Sequence, residues 1–272
     1  MKTPLLAGLL AGLLPLIAAA APSPDWRQPD PAETLVIDTT RGRIVVELAP
    51  KVAPQAVARV KQLAREGVYD GLQFHRVIAG FVAQTGNPDN RDGGASSHPD
   101  LAPEFTFRLT PELNRQVVFV TEARDGRTGF LGSLPISAVS AGEAARARNG
   151  RVLAWGAYCP GVLGMGCQAD PGTANSEIFV MLDSARRLDR DYTPFGRVVA
   201  GFDVAQALAV GEPPAAPDQM IRVALAADLP DDERPRLELA DPRGEVFQAR
   251  IAALRAERGA DFTVCDMDIP AR

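Results

Sequence analysis

Phe74-His75-Arg76-Val77-Ile78-Ala79-Gly80-Phe81-Val82-Ala83-Gln84-Thr85-Gly86 carries the reading of this chain. Two short runs of alternating apolar and polar residues flank Gly80, and Gly86 closes the second, so the stretch reads as strand, turn, strand. A strand sends successive side chains to opposite faces, which puts Phe74, Arg76 and Ile78 on one face. Beyond the turn, Phe81 and Ala83 fall on one side and Val82 and Gln84 on the other. An arginine and a glutamine beside aromatic rings, held on strands, form a surface suited to gripping a peptide.

Working outward, Thr34 to Leu48 reads as a hairpin turning at Arg41-Gly42. Pro54 opens a helix that runs to about Glu66, with Val57, Val60, Leu63 and Ala64 on one face and Gly67 stopping it. Residues 86–103 are rich in Gly, Asn, Asp, Ser and Pro, hence loop. Phe105 to Leu109 and Val117 to Thr121 read as strands, Gly126 to Ser140 as irregular and Ala141 to Arg148 as helix. Gly161 to Met165, the run to Val180 and Pro194 to Val198 continue the strand pattern, and Met220 to Ala226 is the last strand of this set. In the tail, Pro230 to Arg236 is a charged connector. Glu245 to Arg258 is an amphipathic helix with Phe247, Ile251 and Leu254 on one stripe, and Phe262 to Cys265 is strand-like.

Phe-His-Arg-Val-Ile-x-Gly-Phe-x-x-Gln-x-Gly resembles the signature of cyclophilins, a class of peptidyl-prolyl cis–trans isomerases. The hairpin, the helix and Glu66-Gly67-Val68-Tyr69-Asp70-Gly71 precede it in the order cyclophilins use. The likeness resumes at Gly161-Val-Leu-Gly-Met165, Asp170 to Val180 and Leu188 to Val198, and it covers about 34–108 and 161–226. It implies a mainly β fold: a closed eight-stranded antiparallel β-barrel capped by two helices. To this the chain adds an inserted segment at about 110–160 and a C-terminal helix. The expected organisation is a signal peptide over 1–20, a linker over 21–33, the isomerase domain over 34–228 and an extension over 229–272.

Rotating an Xaa-Pro bond means removing amide double-bond character against a barrier of about 18–20 kcal/mol. No proton or electron need leave the substrate, so the expected cofactor set is empty and no metal is called for. What helps is a donor to the prolyl nitrogen as it pyramidalises, and an apolar pocket for the ring. By the resemblance, Arg76 is that donor, its planar guanidinium being permanently charged. Gln84 positions Arg76, and Phe81 joins them as the third catalytic residue. Phe179, Leu188 and Tyr192 form the proline pocket with Phe81, and Val82, Gly166, Cys167 and Glu177 are the remaining substrate-binding positions. His75 neighbours Arg76 on the strand and is read as structural.

Several positions depart from the family pattern. Val82 stands for a methionine, Thr85 for a glycine, Glu177 for a glutamine, Ile178 for a phenylalanine and Tyr192 for a histidine. Gly166-Cys167 takes the place of an Ala-Asn pair on the groove strand. Glu177 is positioned to pair with Arg76 or to repel acidic substrates. Arg187 replaces the aromatic residue usual before Leu188, so cyclosporin should bind weakly. The rival reading is a non-catalytic peptide-binding module, with Arg76 locked by Glu177 and the groove filled by the insertion. The want of a Ser-His-Asp set around only two histidines, His75 and His98, argues against a hydrolase.

The chain has 272 residues, 46% hydrophobic and 23% charged, which suits one domain with additions. Its net charge of −5 and lack of a long basic run argue against nucleic acid and anionic membrane as partners. Lys2, an apolar run from Pro4 to Ala20 and the Ala18-x-Ala20 spacing describe a cleaved export signal. A periplasmic or secreted bacterial protein follows, with no membrane association after cleavage. The expected partners are proline-containing polypeptides, and the expected state is a monomer. Cys159, Cys167 and Cys265 all lie in the exported part, where one bridge and one free thiol allow three pairings. With Cys167 on the groove strand by the resemblance, Cys159 is expected to pair with Cys265, closing a loop of about 100 residues.

Overall fold

The structure is a computed structural model and describes residues 25–86 and 96–272. The expected signal segment, the start of the linker and residues 87–95 of the expected loop lie outside the described residues. In chain order come β1 (Trp26–Arg27), β2 (Thr34–Thr39), β3 (Gly42–Leu48), α1 (Pro54–Arg65), β4 (Arg76–Ile78) and β5 (Val82–Thr85). There follow β6 (Phe107–Leu109), α2 (Pro111–Asn114), β7 (Val118–Ala123), β8 (Gly126–Leu131), β9 (Leu134–Ala138), α3 (Ala141–Ala144) and β10 (Val152–Gly156). The chain continues with β11 (Val162–Met165), β12 (Ile178–Met181), β13 (Pro194–Ala200), α4 (Phe202–Gln206) and β14 (Met220–Leu225). It ends with β15 (Leu239–Ala240) and α5 (Glu245–Arg258).

Eight strands form one antiparallel sheet in the order β14-β2-β3-β13-β11-β12-β5-β4. It curls around a core that includes Leu35, Ile44, Val60, Leu63, Phe74 and Phe195. The outermost strands meet only through isolated bridges, Gln73 with Gln219 and Val77 with Gly211. The expected closed barrel is therefore a curled sheet with an irregular seam. The cause is chemical: Pro213, Pro214 and Pro217 approach the seam without N–H donors, and a ladder cannot run through them.

Helix α1 packs on β13 and β14 and buries Val57, Val60 and Leu63, each worth about 1.5–3 kcal/mol of transfer free energy. Its N-cap, Ala53, has no capping side chain. The Glu104 carboxylate serves instead, accepting from the N–H groups of Gln55 (3.1 Å) and Ala56 (2.9 Å). The second expected cap, α4, spans only five residues and packs against β3.

The insertion is more regular than expected. With β6 it builds a second antiparallel sheet, in the order β6-β10-β9-β8-β7. Residues 126–140 are a hairpin, β8 to β9, turned by Gly132-Ser133, while the expected helix from Ala141 is the single turn α3. Within this stretch, Gly129 lies where the backbone of Val118 and Phe119 leaves no room for a Cβ. A second core lies between this sheet, the outer face of the first sheet and α5. It includes Val82, Phe130, Ile136, Tyr158, Phe179, Met181, Phe247 and Ile251. Phe130 and Phe247 meet edge to face, with centroids 5.3 Å apart.

The ends of the described chain are stitched to this body. The expected linker is not free: β1 pairs with β15. Phe262 to Cys265 is not a strand, because Thr263 and Asp266 cap each other around a 3-10 turn over Val264–Asp266. Cys159 and Cys265 form the disulfide, and Cys167 is a free thiol. Arg197, fully buried, donates to the carbonyl oxygens of Met267 (2.6 Å), Ser133 (3.3 Å) and Pro160 (3.3 Å).

Candidate active site

Register brings the site together. Arg76 on β4 stands opposite Gln84 on β5, and Gln84 stands opposite Phe179 on β12, which faces Gly164 on β11. With β11 continuing into Gly166 and Cys167, and the loop of Leu188 to Tyr192 lying above, these elements surround a cleft of about 310 Å³. Its lining is Arg76, Phe81, Val82, Gln84, Gly166, Cys167, Phe179, Leu188 and Tyr192. Every expected site residue except Glu177 lines it.

Three local expectations are corrected. Phe74 does not share Arg76's face: it points into the sheet's core, because β4 begins only at Arg76 and the strand alternation does not extend back to it. Phe81 lines the cleft with Val82 and Gln84 rather than siding with Ala83. It belongs to the turn, where its N–H donates to the Ile78 carbonyl (3.0 Å), and β5 begins after it. Cys167 lies past the end of β11 rather than on the strand.

The fourth correction concerns Glu177. Its side chain is about 95% buried, stands behind Gln84 and does not reach the cleft surface. Room for it exists because residue 166 is glycine; a Cβ there would come within 2.8 Å of Glu177 Cγ. Gln84 Nε2 donates to Glu177 Oε1, and His75 Nε2 lies 3.5 Å from the same oxygen. A carboxylate only accepts, so this contact turns the Gln84 carbonyl oxygen toward Arg76, whose Nη1 donates to it at 3.1 Å.

The ion-pair partner of Arg76 is Glu212, not Glu177. Arg76 Nε donates to Glu212 Oε2 at 2.7 Å. Glu212 arrives there because Val77 and Gly211 exchange two backbone hydrogen bonds, of 2.8 and 2.9 Å, across the seam. No local pattern announces a residue 136 positions away; the Gly211-Glu212-Pro213-Pro214 run is the only hint. With Nε and Nη1 committed, Nη2 of Arg76 has no partner among the described residues. Neither feature of the non-catalytic reading is present: Arg76 is not locked by Glu177, and the insertion does not fill the cleft.

The apolar side is a ring cluster. Phe179 meets Tyr192 edge to face at 5.6 Å and stacks on Tyr158 at 5.8 Å. Burial pushes the Tyr192 phenol above its ordinary pKa, with Cys167 and Asp191 adding to the rise and Arg76 opposing it. Burial likewise raises the Cys167 thiol, reinforced by Glu177 and Asp170. Both groups therefore stay neutral near pH 7. Gly86 closes the motif for a steric reason: its φ is +90°, and a Cβ would strike the Ser176 carbonyl oxygen.

A curled antiparallel sheet with an Arg-Gln pair beside a ring-lined cleft defines a peptide-handling site. A sequence profile of the family described as Cyclophilin type peptidyl-prolyl cis-trans isomerase/CLD matches residues 34–225. The chain belongs to that family and is a peptidyl-prolyl cis–trans isomerase of the cyclophilin type. A probable peptidyl-prolyl cis-trans isomerase of Brucella suis biovar 1 (strain 1330) is 29% identical over 215 residues, covering 73% of this chain and 85% of that protein. Peptidyl-prolyl isomerase CWC27 of Gibberella zeae is 32% identical over 185 residues, 68% of this chain and 30% of that one. The crystal structure of cyclophilin AquaCyp293 from Hirschia baltica superposes with a TM-score of 0.83 at 32% identity, covering 92% of this chain and 93% of that chain. That coverage reaches beyond residues 34–225, so the appended parts are shared in part.

Proposed function

We propose that Arg76 lowers the rotation barrier by donating from Nη2 to the prolyl nitrogen, while Phe81, Phe179, Leu188 and Tyr192 hold the proline ring. The carrying observation is the anchoring of Arg76 on both sides, by Glu212 at Nε and by Gln84 at Nη1. A guanidinium fixed in this way meets the developing lone pair without reorganising, which is how preorganised donors stabilise a transition state. A charge-assisted hydrogen bond is worth about 1.5–3 kcal/mol, or roughly 10- to 150-fold in rate. The backbone at Gly166 and Cys167, on the cleft wall, fixes one side of the peptide while the other turns.

The substrates in this reading are proline-containing segments of exported proteins, and the enzyme works as a monomer in the periplasm or outside the cell. Supporting export are the apolar N-terminal run with its Ala18-x-Ala20 spacing and the Cys159–Cys265 disulfide, a bond that persists in oxidising compartments. Uncatalysed prolyl isomerisation takes about 10–100 s, slow enough to limit folding there. The test is exchange NMR on an Xaa-Pro peptide with catalytic amounts of wild type and of Arg76→Ala. Acceleration that falls at least about tenfold in the variant supports the role of Arg76. Equal acceleration by both removes it.

A further inference from the structure

The charges around the cleft are unevenly matched. Arg76 is paired with Glu212, and Glu177 is turned inward to Gln84 and His75, so neither presents an unmatched charge to a bound peptide. Arg186, on the loop above, is held by Asp189 and by the Ser137 hydroxyl. Arg187 is different. It is exposed, and its guanidinium lies 4.6 Å over the centroid of Phe81, a residue that lines the cleft. It makes no hydrogen bond or ion pair among the described residues, so its charge is held at the rim and left unanswered.

Register places this charge at one end of the cleft. The Leu182 N–H donates to the Phe81 carbonyl, and the Gly166 N–H donates to the Glu177 carbonyl, both at 2.8 Å. Phe81 and Gly166 are thus separated by the run from Leu182 back to Glu177, about 16 Å at 3.3 Å per residue. Arg187 therefore puts an unmatched positive charge at the Phe81 end of the cleft.

We propose that Arg187 makes this isomerase selective for Xaa-Pro segments that carry a carboxylate on the flank lying over Phe81. The inference rests on the cleft being the peptide site. Stacking on Phe81 keeps the guanidinium near the chain without consuming its charge, since a cation over an aromatic face remains free to pair at its edge. It also reverses what Glu177 implies when read from the sequence alone, namely repulsion of acidic substrates. Attraction and repulsion both act at this one end: a carboxylate there gains a partner, and a lysine there meets a like charge.

The experiment compares capped peptides that are identical except for Asp, Asn or Lys two residues before or two residues after the proline. Rates come from exchange NMR with wild type, Arg187→Gln and Arg187→Glu, each normalised to the Asn peptide of the same variant. On one flank, wild type should favour Asp over Lys in kcat/KM by about three- to tenfold at low salt. The ratio should fall toward one in about 0.5 M NaCl, where the Debye length shrinks to a few ångströms. It should also fall to one in Arg187→Gln and invert in Arg187→Glu. An Asp-to-Lys ratio that is the same in wild type and Arg187→Gln overturns the proposal while leaving the isomerase site intact. Wild type that fails to accelerate the Asn peptide overturns the cleft reading itself, and this inference with it.

Discussion

Replacing Arg197 by methionine keeps the length and apolar stem of the side chain and removes only its charged head. In the wild type that head is fully buried, and burial pushes its pKa down to about 10, with Asp268 opposing the shift. At 1.36 kcal/mol per unit, the fold carries about 3 kcal/mol of desolvation cost for keeping the group charged. Against this stand three donations to the carbonyls of Met267, Ser133 and Pro160, each about 1.5–3 kcal/mol for a charged donor, or about 4.5–9 kcal/mol together. The variant recovers the first quantity and loses the second, for a net loss of about 2–6 kcal/mol. The carbonyls remain buried after the change, which distinguishes it from replacing both partners of an ion pair by apolar groups. Because the native pKa lies below the unfolded one, this group adds stability as pH rises only above about 10. Below that it is charged in both states, so the difference between variant and wild type should be constant from about pH 6 to 9. Urea titration followed by Trp26 and Trp155 fluorescence measures it, with Arg197→Lys, a single ammonium facing three acceptors, expected to fall between the two. A methionine variant as stable as wild type would show that the tail and hairpin are not held through this arginine.

Three further outcomes follow from the geometry. Gly164→Ala would drive a Cβ against the Phe179 ring and to 2.7 Å from the Tyr158 hydroxyl. It should cost about 1–3 kcal/mol of stability and raise KM for proline peptides several-fold, as the displaced ring shuts the cleft. Glu177→Leu keeps the bulk but removes the acceptor for Gln84 Nε2, so the Gln84 amide is no longer turned one way. Here kcat should drop roughly three- to tenfold with KM little changed, and a drop of less than twofold would dismiss Glu177 as a positioning group. The Cys159→Ser/Cys265→Ser double variant releases a loop with a sequence separation of 106. Chemical denaturation should show a loss of about 2–4 kcal/mol, while kcat/KM on a short peptide is unaltered because the bridge lies outside the cleft.

What the sequence disclosed was set by how local each signal is. The hairpin of β2 and β3, the helix from Pro54 and the helix Glu245–Arg258 appear where periodicity places them, since three or four apolar residues at fixed spacing determine a buried face without reference to distant chain. The cleft residues were legible because a motif constrains spacing as well as identity. Alternation holds only inside a strand, and Phe74 and Phe81 each stand one or two residues outside one, so periodicity alone puts them on the wrong faces. The β8–β9 hairpin was hidden by glycines whose role, the close approach at Gly129, depends on a neighbouring strand. Glu212 and the inward turn of Glu177 depend on the Val77–Gly211 bridge and on the missing Cβ of Gly166, long-range facts with no local trace.

The most direct test of the mechanism is a crystal structure of the enzyme with a short capped Xaa-Pro peptide. The proline ring should lie between Phe81, Phe179, Leu188 and Tyr192, with Nη2 of Arg76 within about 3.2 Å of the prolyl nitrogen. Arg76 should still be held by Glu212 and Gln84. A peptide bound with its proline outside this cleft, or with Arg76 facing away from the prolyl nitrogen, would contradict the account.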